Sequence, residues 1–246
     1  MAEQNDRPPM FWSLRPAGEH AALRRAAQAA GWRLRVLPVL RTREREAGAA
    51  LDRALACSWR ISTSPAAVRA VARRSPWPTQ GLDLAVGAGT AAALAAAGAH
   101  RVFHPARMDS EGLLALPELE ALGEGPVGLL TAPGGRGLIA RALAARGVHL
   151  HRAEVYERLP QHGAARRYAA FAADPAAPLL LSSSEALARL LARLGKAAAT
   201  SLRARPVVVP SERLAARLRE LGVGELRMAE SPRAAAMIDA LGPPKP

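Results

Sequence analysis

A chain of 246 residues, half of them apolar, can build one large domain or two small ones with a real core. Arg or Pro interrupts every apolar run before membrane-span length, and the polar start M-A-E-Q-N-D-R-P-P reads as no secretory signal. The formal net charge of +13 suggests an anionic partner; but all but two of the 34 basic residues are Arg, spread along Ala-rich stretches, and only 4% of residues are aromatic, which disfavours base stacking.

In chain order, the first apolar run is M-F-W-S-L at 10–14. A helix is expected from Pro16 to about Ala30, with Gly31 closing it. W-R-L-R-V-L-P-V-L at 32–40 reads as a strand. R-I-S-T-S at 60–64 and a helix from Pro65 follow, then L-D-L-A-V at 82–86 and a helix from Thr90 to Gly98, then R-V-F-H-P at 101–105. Strand–helix alternation of this kind builds a parallel sheet covered by helices.

The second half runs through the same order. G-P-V-G-L-L-T-A-P places Pro133 where the first half has Pro16, and Gly147 answers to Gly31. S-T-S-P-A-A-V at 62–68 matches L-S-S-S-E-A-L at 181–187. The spacing from Gly87 to Gly98 recurs from Ser211 to Gly222. Matches that keep their order predict a duplication and two similar α/β units.

Twice, then, a strand ends in a hydroxyl cluster that begins a helix. Such a hydroxyl caps the helix whatever else it does, and the free N–H groups of the first turn form an anion site. Capping alone would account for Ser64 or Ser183 singly. Their repetition points to binding of carboxylates or phosphates.

Other motifs are weaker. V-G-A-G-T-A-A at 86–92 fits a dinucleotide fingerprint, but the next strand ends without an acid to hold a ribose. A-P-G-G-R-G at 132–137 lacks the Lys of a triphosphate loop. The six His are scattered, with no Cys or carboxylate at ligand spacing, so no metal is expected. The single cysteine, Cys57, forms no internal disulfide and fits a reducing cytoplasm. Tyr156, in A-E-V-Y-E-R, stands where the two halves of the repeat meet, as a packing residue or as a functional phenol.

With these motifs the chain resembles the uroporphyrinogen-III synthase family over about residues 10–240. The resemblance rests on S-L-R-P before a Gly-ended helix, S-T-S-P-A-A-V, V-G-A-G-T-A-A-A-L, L-L-T-A-P-G-G-R-G-L, V-Y-E-R, L-L-S-S-S-E-A-L and V-V-V-P-S-E-R-L-A, in the family's order. It implies two similar parallel-sheet α/β domains joined by a two-stranded ladder, with a cleft between them. Domain one would be 1–37 plus 158–246, domain two 40–154, and the connecting strands 36–40 and 154–158.

The resemblance further implies cyclisation of hydroxymethylbilane, a linear tetrapyrrole with eight carboxylates, to uroporphyrinogen III. Water is lost, the last pyrrole is inverted, and no cofactor is used. Tyr156 would assist departure of the hydroxyl. Substrate would be bound by Arg15, by Ser62, Thr63 and Ser64, by Gly87 and Thr90, by Gly134 and Gly135, by Ser182 and Ser183, and by Ser211. The family's last cleft threonine falls here at Leu214, which leaves Ser211 as the nearest hydroxyl. The expected protein is a cytoplasmic monomer with no nucleic-acid or membrane partner. A non-catalytic binder of small polyanions and a nucleic-acid binder are the competing readings.

Overall fold

The computed structural model describes residues 8–122, 125–134, 137–163 and 165–244. It comprises two compact units, Met1–Arg41 with Leu159–Pro246, and Thr42–Arg158.

The chain starts in the first unit with β1 (Met10–Ser13), α1 (Ala21–Ala29) and β2 (Arg33–Val36). β3 (Leu40–Glu44) carries it into the second unit, followed by α2 (Gly48–Leu55), β4 (Trp59–Ser62), α3 (Pro65–Ala72), β5 (Leu82–Ala85), α4 (Ala88–Ala96) and β6 (Val102–Phe103). The short helices α5 (Ser110–Leu114) and α6 (Pro117–Glu120) lead to β7 (Val127–Thr131), α7 (Leu138–Ala145) and β8 (Leu150–Glu154). β9 (Tyr156–Pro160) returns the chain to the first unit and to α8 (Ala165–Ala172), β10 (Leu179–Leu180), α9 (Ser184–Leu194) and α10 (Lys196–Arg203). β11 (Val207–Val209), α11 (Glu212–Glu220), β12 (Leu226–Met228) and α12 (Ala234–Asp239) complete it.

Each unit holds a five-stranded parallel sheet. The strand order is β12-β11-β10-β1-β2 in the first and β6-β5-β4-β7-β8 in the second. The two orders are the same pattern, with β10 answering to β4 and β1 to β7. The sequence repeats are therefore not the folded units. Each unit takes two strands from one repeat and three from the other.

The third sheet is the antiparallel pair β3-β9, and the division between the units falls inside both strands. Arg45 N–H donates to the Val155 carbonyl at one end of the pair, and Gln161 N–H to the Val39 carbonyl at the other. Arg43 grips Glu157 across it, at 2.8 Å through Nε and 2.6 Å through Nη2. The apolar run at 32–40 is not one strand. Pro38, which has no N–H for a ladder, sits between β2 and β3.

Helices cover both faces of each sheet, and their apolar stripes form the core. Leu23 and Ala27 of α1 pack with Phe11, Val208 and Ile238 on one face of the first unit. Trp12, Phe171, Leu187 and Leu214 fill the other. Full burial of one such Leu or Phe is worth roughly 1.5–3 kcal/mol. Arg205 is 1% exposed, with Asp174 the one carboxylate that offsets part of its burial. Its guanidinium donates to the carbonyls of Ser201, Ala177 and Phe171 and lies over the Phe171 ring, and burial pushes its pKa down to about 10. Among the described residues no helix is long and apolar enough to cross a membrane.

α1 begins at Ala21, not Pro16. Gly18, at φ +84°, turns the chain before His20 takes the position ahead of the first helical residue. His20 is 7% exposed, and its Nε2 has no hydrogen-bond partner among the described residues. Burial first, then Arg15 and Arg24, push its pKa down to about 4. An unfolded histidine titrates near 6.5. As pH falls through the gap, the unfolded chain binds a proton that the native fold refuses, so stability is lost on acidification. A gap of this size is worth up to about 3 kcal/mol, less where solvent screens the two arginines. Urea unfolding at pH 7 and pH 4.5 should show a fall in stability that is smaller in His20→Gln.

Candidate active site

In the second unit the chain winds out from β4 to β5 and β6, then back to the other side of β4 with β7 and β8. The order reverses between β4 and β7. In open α/β sheets, ligands sit beyond the carboxyl ends of the strands at that reversal. Ser62 ends β4 and Thr131 ends β7, so both hydroxyl-bearing ends lie there.

Ser64 caps α3 from extended backbone, its Oγ accepting the Ala67 N–H at 3.2 Å, with Pro65 at the first helical position. The same Oγ lies 2.9 Å from the Tyr156 hydroxyl. With one lone pair given to Ala67, Ser64 can donate to the phenolic oxygen and leave the phenol O–H free to donate onward. Tyr156 is 1% exposed, packed among Val155, Ala67 and their neighbours, with the Arg158 guanidinium 5.4 Å from its ring centroid. The phenol is thus held rigidly at the start of a helix, where backbone N–H groups favour negative charge.

Thr63 joins the two strand ends. Its N–H donates to the Leu130 carbonyl at 3.1 Å, and its hydroxyl lies 3.0 Å from that of Thr131. Thr131 was not among the expected residues; the signal for it was a hydroxyl at the end of an apolar run. Ser62 is 1% exposed, and its Oγ has no partner among the described residues.

The next helix start in this unit is α4. Gly87 precedes it in extended backbone, and a Cβ there would stand 3.0 Å from the Met108 Cβ, a tight contact that Met108 would have to relieve by a small shift. Thr90 is buried in its first turn, its N–H donating to the Gly87 carbonyl at 2.9 Å. Gly134 follows β7 at φ +78°, with open space where a side chain would stand. Gly135 lies outside the described residues.

In the first unit the order reverses between β1 and β10. Ser183 caps α9 as Ser64 caps α3, accepting the Ala186 N–H at 3.2 Å. Among the described residues no tyrosine hydrogen-bonds to it, and Ser182 beside it is exposed. Ser211 precedes α11 in extended backbone without a side-chain cap bond, and Leu214 faces the core at 2% exposure. Arg15 follows β1. Its Nη2 donates to the Pro232 carbonyl at 2.6 Å, and burial lowers its pKa, only partly offset by Glu19. Ser13, buried at the end of β1, accepts the Arg15 N–H at 3.3 Å.

The structure therefore brings Ser62, Thr63, Ser64 and Tyr156 together in one unit, with Gly87 and Thr90 at the next helix start. Arg15, Ser182, Ser183 and Ser211 stand at the corresponding strand ends of the other. What the arrangement offers is a set of amide-rich helix starts for anions and one braced phenol.

Comparison with known proteins gives concordant matches. The family model described as "Uroporphyrinogen-III synthase HemD" matches residues 21–239. Uroporphyrinogen-III synthase of Salmonella typhimurium is 34% identical over 169 residues, 67% of this chain and 68% of that protein. Its counterpart in Escherichia coli is 32% identical over 169 residues, with the same coverage of 67% and 68%. A mutant uroporphyrinogen III synthase from the extreme thermophile Thermus thermophilus shares the fold with a TM-score of 0.61 at 22% identity, covering 95% of this chain and 97% of that one. The enzyme from Helicobacter pylori does so at 0.64 and 16% identity, over 95% and 97%.

Proposed function

Because the chain belongs to the uroporphyrinogen-III synthase family, we propose that it is a cyclising lyase that closes hydroxymethylbilane to uroporphyrinogen III, with loss of water and inversion of the last pyrrole. The observation that carries this reading is the family match, which runs through both units. The helix starts supply its chemistry. Eight carboxylates on the substrate suit amide-rich first turns in a chain of net charge +13. Carboxylates docked on several helix starts would bring the ends of the linear molecule together. Orientation of this kind supplies up to roughly 7–11 kcal/mol in favourable cases.

A hydroxymethylpyrrole ionises readily, so bond breaking needs only modest assistance. Tyr156, with Ser64 on its oxygen, donates to the departing hydroxyl as the C–O bond breaks. Thr63 and Thr131 fix the strand ends beside Ser64, so the phenol keeps its place while the substrate bends. The reading extends to a monomer acting in the cytoplasm without cofactor, apart from membranes and nucleic acid.

The test uses the substrate's own behaviour. Left alone, hydroxymethylbilane closes to the uninverted isomer. Incubation with this chain and chromatographic separation of the products should give mainly the inverted isomer. Mainly uninverted product, at the uncatalysed rate, would leave only a binder of polyanions.

A further inference from the structure

β2 is the outer strand of the first unit's sheet, and its free edge carries a concentration of charge. A shallow depression of about 380 Å³ beside it is lined by Arg24 of α1, Arg35 of β2, Arg166 and Arg167 of α8, and Trp12. The two helices lie on opposite faces of the sheet, α1 packing with Phe11 and Leu34, and α8 with Trp12. Guanidiniums therefore flank the edge from both faces. Arg35 lies over the Trp12 ring, 5.1 Å from its centroid. Among the described residues none of the four pairs with a carboxylate.

The backbone of β2 is half used. Arg33 N–H donates to the Pro9 carbonyl and Leu37 N–H to the Ser13 carbonyl, both on the β1 side. By the alternation of a strand, the N–H and C=O groups of Leu34 and Val36 point the other way, along the free edge. Charge on an edge ordinarily blocks chance pairing. Here the charge is of one sign and surrounds the edge, so it repels a basic strand, a second copy of this chain included, and attracts an acidic one.

We propose that the β2 edge is a docking site for an extended acidic segment of another protein. The segment adds a strand beside Leu34 and Val36 and lays its carboxylates on Arg24 and Arg35 and on Arg166 and Arg167. Strand addition takes its affinity from main-chain hydrogen bonds and its selectivity from side chains on the two faces. A small anion is the poorer occupant, because an open depression covers little of it, whereas ligand pockets usually enclose most of their ligand.

Acetylated and amidated hexaglutamate is the probe, titrated calorimetrically into the full chain at low and at physiological salt. One-to-one binding that weakens with salt is expected, together with slowed hydrogen exchange at the amides of Leu34 and Val36. Arg166→Glu combined with Arg167→Glu should raise Kd roughly tenfold while leaving cyclisation unchanged. Hexaglutamate N-methylated at every residue keeps its charge and loses its donors, and it should bind at least tenfold more weakly. Equal binding of the methylated peptide, saturation without protection of Leu34 and Val36, or tighter binding of tripolyphosphate or duplex RNA would each overturn the proposal.

Discussion

Tyr156→Phe lowers kcat by roughly ten- to a hundredfold, at or below the low end of general-acid assistance, and still yields the inverted isomer. The size follows from the chemistry. General acids typically contribute about 10²–10⁴-fold, and a leaving group that departs easily draws on the lower part. The change also has a structural cost. The ring stays in its packed site, but Ser64 Oγ loses the phenolic oxygen 2.9 Å away and keeps only the Ala67 N–H. One lost buried hydrogen bond costs about 1 kcal/mol, a small shift in melting temperature. Single-turnover kinetics with product analysis, beside thermal unfolding, separates the two effects. Full activity in the variant would make Tyr156 a packing residue. Inactivity that tracks unfolding would give it a purely structural role.

Arg60→Met destabilises the second unit by about 3–5 kcal/mol, the usual cost of leaving one member of a buried ion pair alone. Arg60 and Asp83 face each other in register on β4 and β5, each side chain 2% exposed. Nε reaches Oδ1 at 3.0 Å and Nη2 reaches Oδ2 at 2.9 Å, a two-point grip. Nη1 also donates to the Cys57 carbonyl and Nη2 to that of Gln80, and Trp77 Nε1 donates to Asp83 at 3.2 Å. Removing Arg60 leaves the buried Asp83 anion with only the Trp77 indole N–H and takes a donor from two carbonyls at once. Removing both charges, as in Arg60→Met with Asp83→Leu, leaves no unpaired ion and should recover most of the loss. Guanidinium chloride unfolding of the single and double variants measures this. A double variant no more stable than Arg60→Met would show that the carbonyl and indole bonds matter more than the pair.

The alternation of strands and helices was legible because it rests on local chemistry. A serine capping α3 with proline behind it is visible in S-T-S-P-A-A-V, and the helix starts at Pro65 as that motif requires. α2 was not seen, since its start at Ala47 has no side-chain cap and G-A-A-L-D-R-A-L is too short for a clear period. α4 begins at Ala88 rather than Thr90, because Gly87 supplies the extended residue before it. The bond between Ser64 and Tyr156 was out of reach: it joins residues 92 apart through the order of strands. Arg60 and Asp83 left a fainter mark, each a lone charge inside an apolar strand, which is how a buried partner announces itself.

The first unit's sheet has a history written into its order of strands. β1 lies between β2 and β10, so its second neighbour lies far along the chain. Translation finishes every strand of the second unit's sheet before β10 exists. At ordinary elongation rates the gap lasts on the order of ten seconds. During that time β1 and β2 wait beside the ribosome with an apolar strand edge uncovered, while the inner unit can already be folded. A circular permutant that joined residue 246 to residue 1 and opened at the ladder would make each unit contiguous and abolish the wait.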